Sequence, residues 1–193
     1  MGARIGLFGG AFDPIHIGHL GLIDSMLASG VLDTLCVVPT YDPPHRPPAR
    51  YPFMDRLRMT RLALQAHADV RVLSVESLLP RPSYTVRTLE YLQSGSPGDT
   101  FFLCIGFDSL ATFTRWHRHR EILRMCSLLV ASRPGTDPAR IPPEVLDHAV
   151  FVEHEPIDVS STRIRETLEA GDDLSGLVPQ SVLEYLRERD NLY

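Results

Sequence analysis

The chain is organised around Gly9-Gly10-Ala11-Phe12-Asp13-Pro14-Ile15-His16-Ile17-Gly18-His19. The apolar residues 5–8 before this stretch predict a short buried strand, and residues 20–27 after it predict a helix. A glycine-bearing loop between a strand and a helix brings backbone N–H groups close to a ligand, and the helix N-terminus adds the positive end of its dipole. The stretch therefore predicts a site for an anion.

Two histidines in this stretch stand three residues apart. On a helix, that spacing puts the side chains of His16 and His19 on one face, and Gly18 between them leaves room for a ligand to approach the backbone. A single histidine here would more often be an ordinary core or surface residue. Because both imidazoles can donate to phosphate oxygens, the pair predicts a phosphate site.

Composition narrows the class of protein. The 193 residues, 44% of them hydrophobic, predict one well-packed domain over residues 1–193. A net charge of −5 argues against a general nucleic-acid binder, which needs clustered basic side chains. All 19 basic side chains are arginine, so phosphate contacts fall to guanidinium, imidazole or backbone groups.

No apolar run is long enough to span a membrane. Three cysteines, far apart along the chain, lack the spacing of a zinc site or a disulfide framework, and the pattern is typical of buried thiols in a reducing cytosol. We therefore expect a cytoplasmic protein with neither nucleic acid nor a membrane as a partner.

Residues 9–19 resemble, as G-G-x-F-D-P-x-H-x-G-H, the signature of the H-x-G-H nucleotidyltransferase superfamily, and in particular of the bacterial nicotinate mononucleotide adenylyltransferases. The resemblance implies that His16 and His19 hold the triphosphate of ATP in the transition state. It also implies an ATP site that includes Gly9, Gly10, Phe12 and Gly18. Ala11 departs from the family, which usually has a small hydroxyl residue there, so a contact from that hydroxyl is missing.

Prolines between residues 39 and 52 predict an extended loop that holds His45 and Arg46. The segment resembles the family's P-P-H-K, with Arg46 in place of the lysine that reaches the phosphates. The alternative for Arg46 is a solvated surface charge. In the helix predicted for residues 53–66, we expect Phe53, Leu57, Leu62 and Ala63 to pack inward and Arg56, Arg58 and Arg61 to face solvent, with no site there.

Residues 100–105 predict the clearest buried strand, and Gly106-Phe107-Asp108 after it resembles the family's G-x-D. The resemblance implies that Gly106 admits ATP closely and that the carboxylate of Asp108 accepts from ribose hydroxyls. Helix capping by Asp108 is the alternative. Phe107 is a further departure from the family.

Three later segments resemble the part of the family site that binds the pyridine nucleotide. Residues 83–89 carry S-Y-T-x-x-T-L, in which Thr85 is the candidate contact, with Ser83 as a plain helix cap the alternative. The indole of Trp116 would stack on the pyridinium ring, although a lone Trp is more often packing. The full set implied for this nucleotide is Ala11, Phe12, Arg46, Thr85, Trp116, His117 and Arg133, the last of which an exposed turn explains equally well.

Val159-Ser160-Ser161-Thr162-Arg163-Ile164-Arg165 resembles the family's I-S-S-T-x-I-R motif at a helix start. Hydroxyls and N–H groups at a helix start, followed by Arg one turn later, make a second anion site. The alternative is that Ser160 or Ser161 only caps the helix. The resemblance assigns Ser161, Thr162 and Arg165 to ATP, so that one triphosphate bridges both motifs.

Strands alternating with helices predict a three-layer α/β sandwich with a mainly parallel sheet. The resemblance makes it a Rossmann-like fold of the nucleotidyltransferase type. It implies that ATP and nicotinate mononucleotide give nicotinate adenine dinucleotide and pyrophosphate, with His16, His19, Arg46 and Arg165 as catalytic residues. Mg²⁺ is expected to arrive with ATP, held by phosphates and water rather than by a protein cage.

Two alternatives stay open. One is another adenylyl- or cytidylyltransferase of the superfamily, with nicotinamide mononucleotide or phosphopantetheine as acceptor. The other is a nucleotide-binding paralogue without catalysis, which the departures at Ala11, Arg46 and Phe107 favour and the intact histidine pair disfavours. The sequence also leaves the oligomeric state open, a homo-oligomer included.

Overall fold

A computed structural model describes residues 2–44, 47–133 and 135–190. Within those residues, the strands form one sheet: β1 Arg4–Gly10, β2 Thr34–Pro39, β3 Val70–Val72, β4 Thr100–Gly106, β5 Ser127–Ser132 and β6 Ala149–Glu153. Every strand pair is parallel, in the order β3-β2-β1-β4-β5-β6. The predicted parallel α/β sheet is confirmed.

The helices that connect these strands are α1 Ile17–Ala28, α2 Phe53–Leu64, α3 Thr85–Gly95, α4 Phe107–Ala111, α5 His119–Met125, α6 Pro143–Leu146, α7 Ser161–Ala170 and α8 Gln180–Asp190. Short 3-10 turns occupy Val75–Leu78, Phe113–Arg115 and Pro138–Arg140. The sequence pattern did not predict α5, and it indicated α4 only through the possible helix cap at Asp108, because these short segments have no clear helical period of apolar residues.

Two hydrophobic clusters cover the two faces of the sheet. Phe8 of β1 and Leu129 of β5 pack in one cluster with α1, α2, α7 and α8. Leu7 and Leu128, their neighbours along the same strands, pack in the other with α3, α5 and α6. Because successive side chains of a strand point to opposite faces, this alternation gives the predicted three layers.

The order of the strands reverses at β1. The chain passes from β1 through α1 to β2 on one side, whereas β4 pairs with β1 on the other side, with Leu7 opposite Leu103. The carboxyl ends of β1 and β4, at Gly10 and Gly106, therefore lie next to each other. Open parallel sheets bind ligands at such a switch point.

Two local predictions are wrong. Arg56 does not face solvent but is 2% exposed. Ser83 is not the N-cap of α3, since Tyr84 takes that position; the Ser83 hydroxyl instead accepts the N–H of Asp42 at 3.0 Å. Within the described residues, no helix is long and apolar enough to cross a membrane. All three cysteines are free and buried.

Candidate active site

The loop between β1 and α1 is tightly held by its own side chains. Phe12 has a left-handed backbone, with φ of 47°, and its ring is 1% exposed. That ring packs edge-on against the ring of His19, with centroids 5.0 Å apart. The side chain of Phe12 therefore supports His19. That Phe12 contacts the nucleotides stays a prediction.

His16 and His19 lie face to face. Their ring centroids are 3.6 Å apart, with 31° between the planes. The backbone N–H of His16 donates to Nδ1 of His19 at 3.2 Å. Because Nδ1 acts as the acceptor, the proton of a neutral His19 ring sits on Nε2. The fold thus selects the tautomer that can donate from the far nitrogen.

His16 is 7% exposed, and this burial lowers its pKa to about 4. It is therefore a neutral donor at pH 7. Its buried Nδ1 has no hydrogen-bond partner among the described residues, as is also the case for Nδ1 of His67 outside the site.

The side-chain space beside Gly18 is occupied by protein atoms, whereas the sequence predicted room there for a ligand. That Gly18 lines the ATP site stays a prediction. A Cβ at this position would lie 2.9 Å from Cγ1 of Val159 and 3.1 Å from Nδ1 of His16. The absent side chain lets the segment before α7 approach the histidine pair, so the glycine serves the contact between the two anion motifs.

The shifted pKa of His16 makes stability depend on pH. In the unfolded chain this imidazole binds a proton near pH 6.5, whereas in the folded protein it does so only near pH 4. Between these values the unfolded state holds more protons, so stability falls as the pH is lowered, by about 3 kcal/mol in total. We measure the free energy of unfolding in urea between pH 4 and pH 6.5. In His16→Gln we expect it to fall less as the pH is lowered, because the contribution of this imidazole is absent, whereas the exposed His148→Gln should show the same pH dependence as wild type. Equal slopes in all three proteins would contradict the assignment.

The second motif is joined directly to the first. Ser160 caps α7 by accepting the N–H of Arg163 at 3.2 Å. The hydroxyl of Ser161 donates to the carbonyl of Pro14 at 3.0 Å, and Arg165 donates to the carbonyl of Asp13 at 2.8 Å. Arg165 also donates to Oγ1 of Thr162 at 3.2 Å. Segments about 150 residues apart in sequence therefore form one side of the candidate active site.

Asp13 is a residue on this side of the site whose role sequence reasoning missed. Its carboxylate, 6% exposed, accepts the backbone N–H groups of Arg50 at 2.9 Å and Tyr51 at 3.0 Å. One of its oxygens lies 3.6 Å from the guanidinium of Arg165. The carboxylate thus joins the end of the proline-rich loop to both anion motifs.

Arg56 is the second missed residue. It is followed at helical spacing by the buried residues Met59, Thr60 and Ala63. This apolar spacing indicates a buried position for Arg56, whereas its positive charge favours the solvent face that the sequence predicted. Arg46 and His45 lie outside the described residues.

Gly106 ends β4 and caps α4, and no described atom lies within 4 Å of where its Cβ would stand. The glycine thus borders open space at the switch point. Asp108 falls in the first turn of α4 and is exposed. Because Gly106 takes the cap position, the alternative that Asp108 caps this helix is wrong.

The segments predicted to bind the pyridine nucleotide meet at the start of α3. Thr85 begins this helix, and the ring of the preceding Tyr84 stacks on His117, with centroids 4.1 Å apart. Trp116 is half-buried, and its indole packs against Phe113 at 5.4 Å. Arg133 is exposed and directly follows β5. The pKa of His154 is lowered mainly by burial and, to a smaller extent, by the positive charge of Arg133.

Among the described residues, no group of three or more His, Cys, Asp or Glu side chains is arranged to hold a metal ion. The carboxylate oxygens of Asp13 already face two N–H groups and a guanidinium.

The cytidylyltransferase-like family matches residues 7–167. A probable nicotinate-nucleotide adenylyltransferase of Pseudomonas fluorescens is 37% identical, over 96% of this chain and 95% of that protein. The chain belongs to the nicotinate-nucleotide adenylyltransferases of the cytidylyltransferase-like family. Another of its members, a probable nicotinate-nucleotide adenylyltransferase of Gloeobacter violaceus, is 36% identical over 98% of this chain and 96% of that protein.

A solved structure of the nicotinic acid mononucleotide adenylyltransferase of Plasmodium falciparum, complexed with NaAD, is similar with a TM-score of 0.80 at 16% identity. The similarity covers 97% of this chain and 96% of that chain. At such low identity the likeness concerns the fold. The Rossmann-like nucleotidyltransferase architecture predicted from the sequence is confirmed as that of the family.

Proposed function

We propose that this chain transfers the adenylyl group of ATP to nicotinate mononucleotide, giving nicotinate adenine dinucleotide and pyrophosphate on the route to NAD. The observation that carries the proposal is the joining of the two anion motifs: Ser161 donates to Pro14 and Arg165 to Asp13, beside the stacked pair of His16 and His19. Relatives at 37% and 36% identity carry the name of this activity.

The chemistry needs no general base. The phosphate of the acceptor is already anionic near pH 7, and one of its oxygens attacks the α-phosphorus of ATP in line. The bond from that phosphorus to the bridging oxygen breaks, and pyrophosphate leaves with the electron pair. Holding the two nucleotides for this attack can supply roughly 7–11 kcal/mol of the barrier when the geometry is ideal.

The described residues supply donors for the charge that develops on pyrophosphate. His19 offers its Nε2–H, because Nδ1 accepts from His16. The neutral His16 ring offers a second N–H, and Arg165 and the N-terminus of α7 add positive charge from the other side. The proposed ATP site also includes Gly9, Gly10, Gly106, Asp108 and Thr162, and Arg46 supplies a further positive charge.

We propose that ATP binds as its Mg²⁺ complex, that the protein works in the cytoplasm, and that residues 1–193 form one domain. The single sheet and the family match over residues 7–167 support the last of these. A homo-oligomer remains a proposal that sedimentation can test.

An acceptor panel tests the function. The protein is incubated with Mg²⁺, ATP and one of three acceptors, nicotinate mononucleotide, nicotinamide mononucleotide or phosphopantetheine, and pyrophosphate release is measured. We expect the highest kcat/KM with nicotinate mononucleotide. Preference for another acceptor would identify a different transferase, and ATP binding without release would identify the paralogue that lacks catalysis.

Trp116→Ala tests the pyridine-nucleotide side of the site. A pyridinium ring over an indole is worth about 0.5–2 kcal/mol, so we expect the KM for the pyridine nucleotide to rise about 2- to 30-fold with little change in the KM for ATP. Tyr91→Ala, which removes an exposed ring of α3, serves as the control. Equal changes of both KM values in Trp116→Ala would remove the stacking assignment.

A further inference from the structure

Arg56 binds three backbone carbonyls with its three nitrogens. Nη1 donates to Ala11 at 2.5 Å, Nη2 to Thr40 at 2.8 Å and Nε to Tyr51 at 3.1 Å. Thr40 and Tyr51 flank residues 41–50, the middle of the proline-rich loop. A single side chain therefore ties both ends of that loop to each other and to the anion-binding stretch.

The guanidinium occupies a place where a charge is costly. Arg56 is 2% exposed, and burial lowers its pKa while the carboxylates of Asp13 and Glu76 raise it. A buried charge is tolerated only where its hydrogen bonds are made with good geometry. Burial of the guanidinium is therefore favourable only while the carbonyls of Ala11, Thr40 and Tyr51 stand where they accept its N–H groups.

The ends of the loop are also bound to the two sides of the site. Glu76, itself buried, accepts the N–H of Tyr41 at 3.0 Å and the hydroxyl of Thr88, in α3, at 3.3 Å. Asp13 accepts the N–H groups of Arg50 and Tyr51 at the other end. The anchors at residues 41 and 50–51 thus connect the acceptor-side helix with the phosphate side.

We propose that Arg56 is a positioning residue, which holds the anion-binding stretch at Ala11 in register with Thr40 and Tyr51 so that the histidine pair faces the phosphates. It acts through these backbone groups and does not touch substrate. The inference rests on the proposed adenylyl transfer. If this is correct, activity requires the planar arrangement of the three donor nitrogens of Arg56 as well as its positive charge.

Arg56→Lys separates these two properties. Lysine keeps the charge but concentrates its donors on one atom, which cannot span three carbonyls that a planar fork reaches. Arg61→Lys, on the exposed face of the same helix, is the matched control. Arg56→Gln, which has a shorter side chain with an amide in place of the guanidinium, repeats the test if the lysine variant does not fold.

The test measures kinetics and amide hydrogen exchange together. In Arg56→Lys we expect kcat to fall about tenfold or more with the KM for ATP within about threefold of wild type, because an interaction that matters mainly in the transition state is lost. We also expect the amides of Tyr41, Arg50 and Tyr51 to exchange about tenfold faster, while those of β4 and all amides of Arg61→Lys are unchanged.

Two results would overturn the proposal. One is a kcat within about twofold of wild type. The other is faster exchange spread through β4, which would mean that Arg56 only stabilises the fold as a whole. Because exchange is measured on the protein without substrates, it decides the role of Arg56 even if wild-type protein transfers no adenylyl group, a result that would refute the proposed function alone.

Discussion

His19→Ala is expected to lower kcat about 100- to 1,000-fold while ATP binds within several-fold of its wild-type affinity. A donor aimed at developing phosphate charge stabilises the transition state more than the bound substrate, and losing one such donor typically costs this much. Single-turnover measurement of pyrophosphate release, together with ATP titration, checks the result. Turnover within a few-fold of wild type would show that the histidine pair has another role.

The tautomer of His19 sharpens this test. Since the N–H of His16 donates to Nδ1 of His19, the donor toward substrate is Nε2, whose position the amide nitrogen of glutamine approximates better than that of asparagine. We therefore expect His19→Gln to retain more activity than His19→Asn. The reverse order would contradict the tautomer. His148→Ala, an exposed histidine outside the site, should leave activity unchanged.

Asp13→Asn is expected to reduce the free energy of unfolding by about 3 kcal/mol. The amide keeps the size of the carboxylate but turns an NH₂ group toward one of the two backbone N–H donors and removes the negative charge beside the partly exposed Arg165. A buried donor left unsatisfied in this way costs about 1–3 kcal/mol, and the lost attraction to Arg165 adds to it. For a chain of this length, the corresponding fall in Tm is roughly 6–12 °C. Urea denaturation measures the change in free energy, and we expect activity to fall as well, because both anion motifs depend on this carboxylate.

Asp158→Asn is the control for this prediction. Its carboxylate lies 3.6 Å from the guanidinium of Arg163, the same separation as between Asp13 and Arg165, but the pair is exposed. Exposed pairs contribute about 0–1 kcal/mol, so we expect little change in stability. If Asp13→Asn were no more destabilising than this control, the carboxylate of Asp13 would not be an anchor of the site.

The predictions from sequence succeeded where one segment carries its own signal. The continuous apolar run of β4 and the glycine-bearing corner before α1 were predicted from local pattern, and the structure has both. The predictions failed where a polar side chain makes its hydrogen bonds to backbone groups that are distant in sequence. Arg56 was predicted to face solvent because arginine in helices usually does, whereas its carbonyl partners stand 5, 16 and 45 residues away.

Sequence by itself determined the six strands, most of the helices between them and, through two motifs predicted to bind anions, the family to which the chain belongs. Those properties depend on periodicity and on motifs within a few consecutive residues. Only the tertiary structure decided that Ser161 and Arg165 donate to Pro14 and Asp13, and that burial keeps His16 neutral. Hydrogen bonds between distant segments and the exclusion of water exist only once the chain is folded, because both arise from packing and not from the residues taken one at a time.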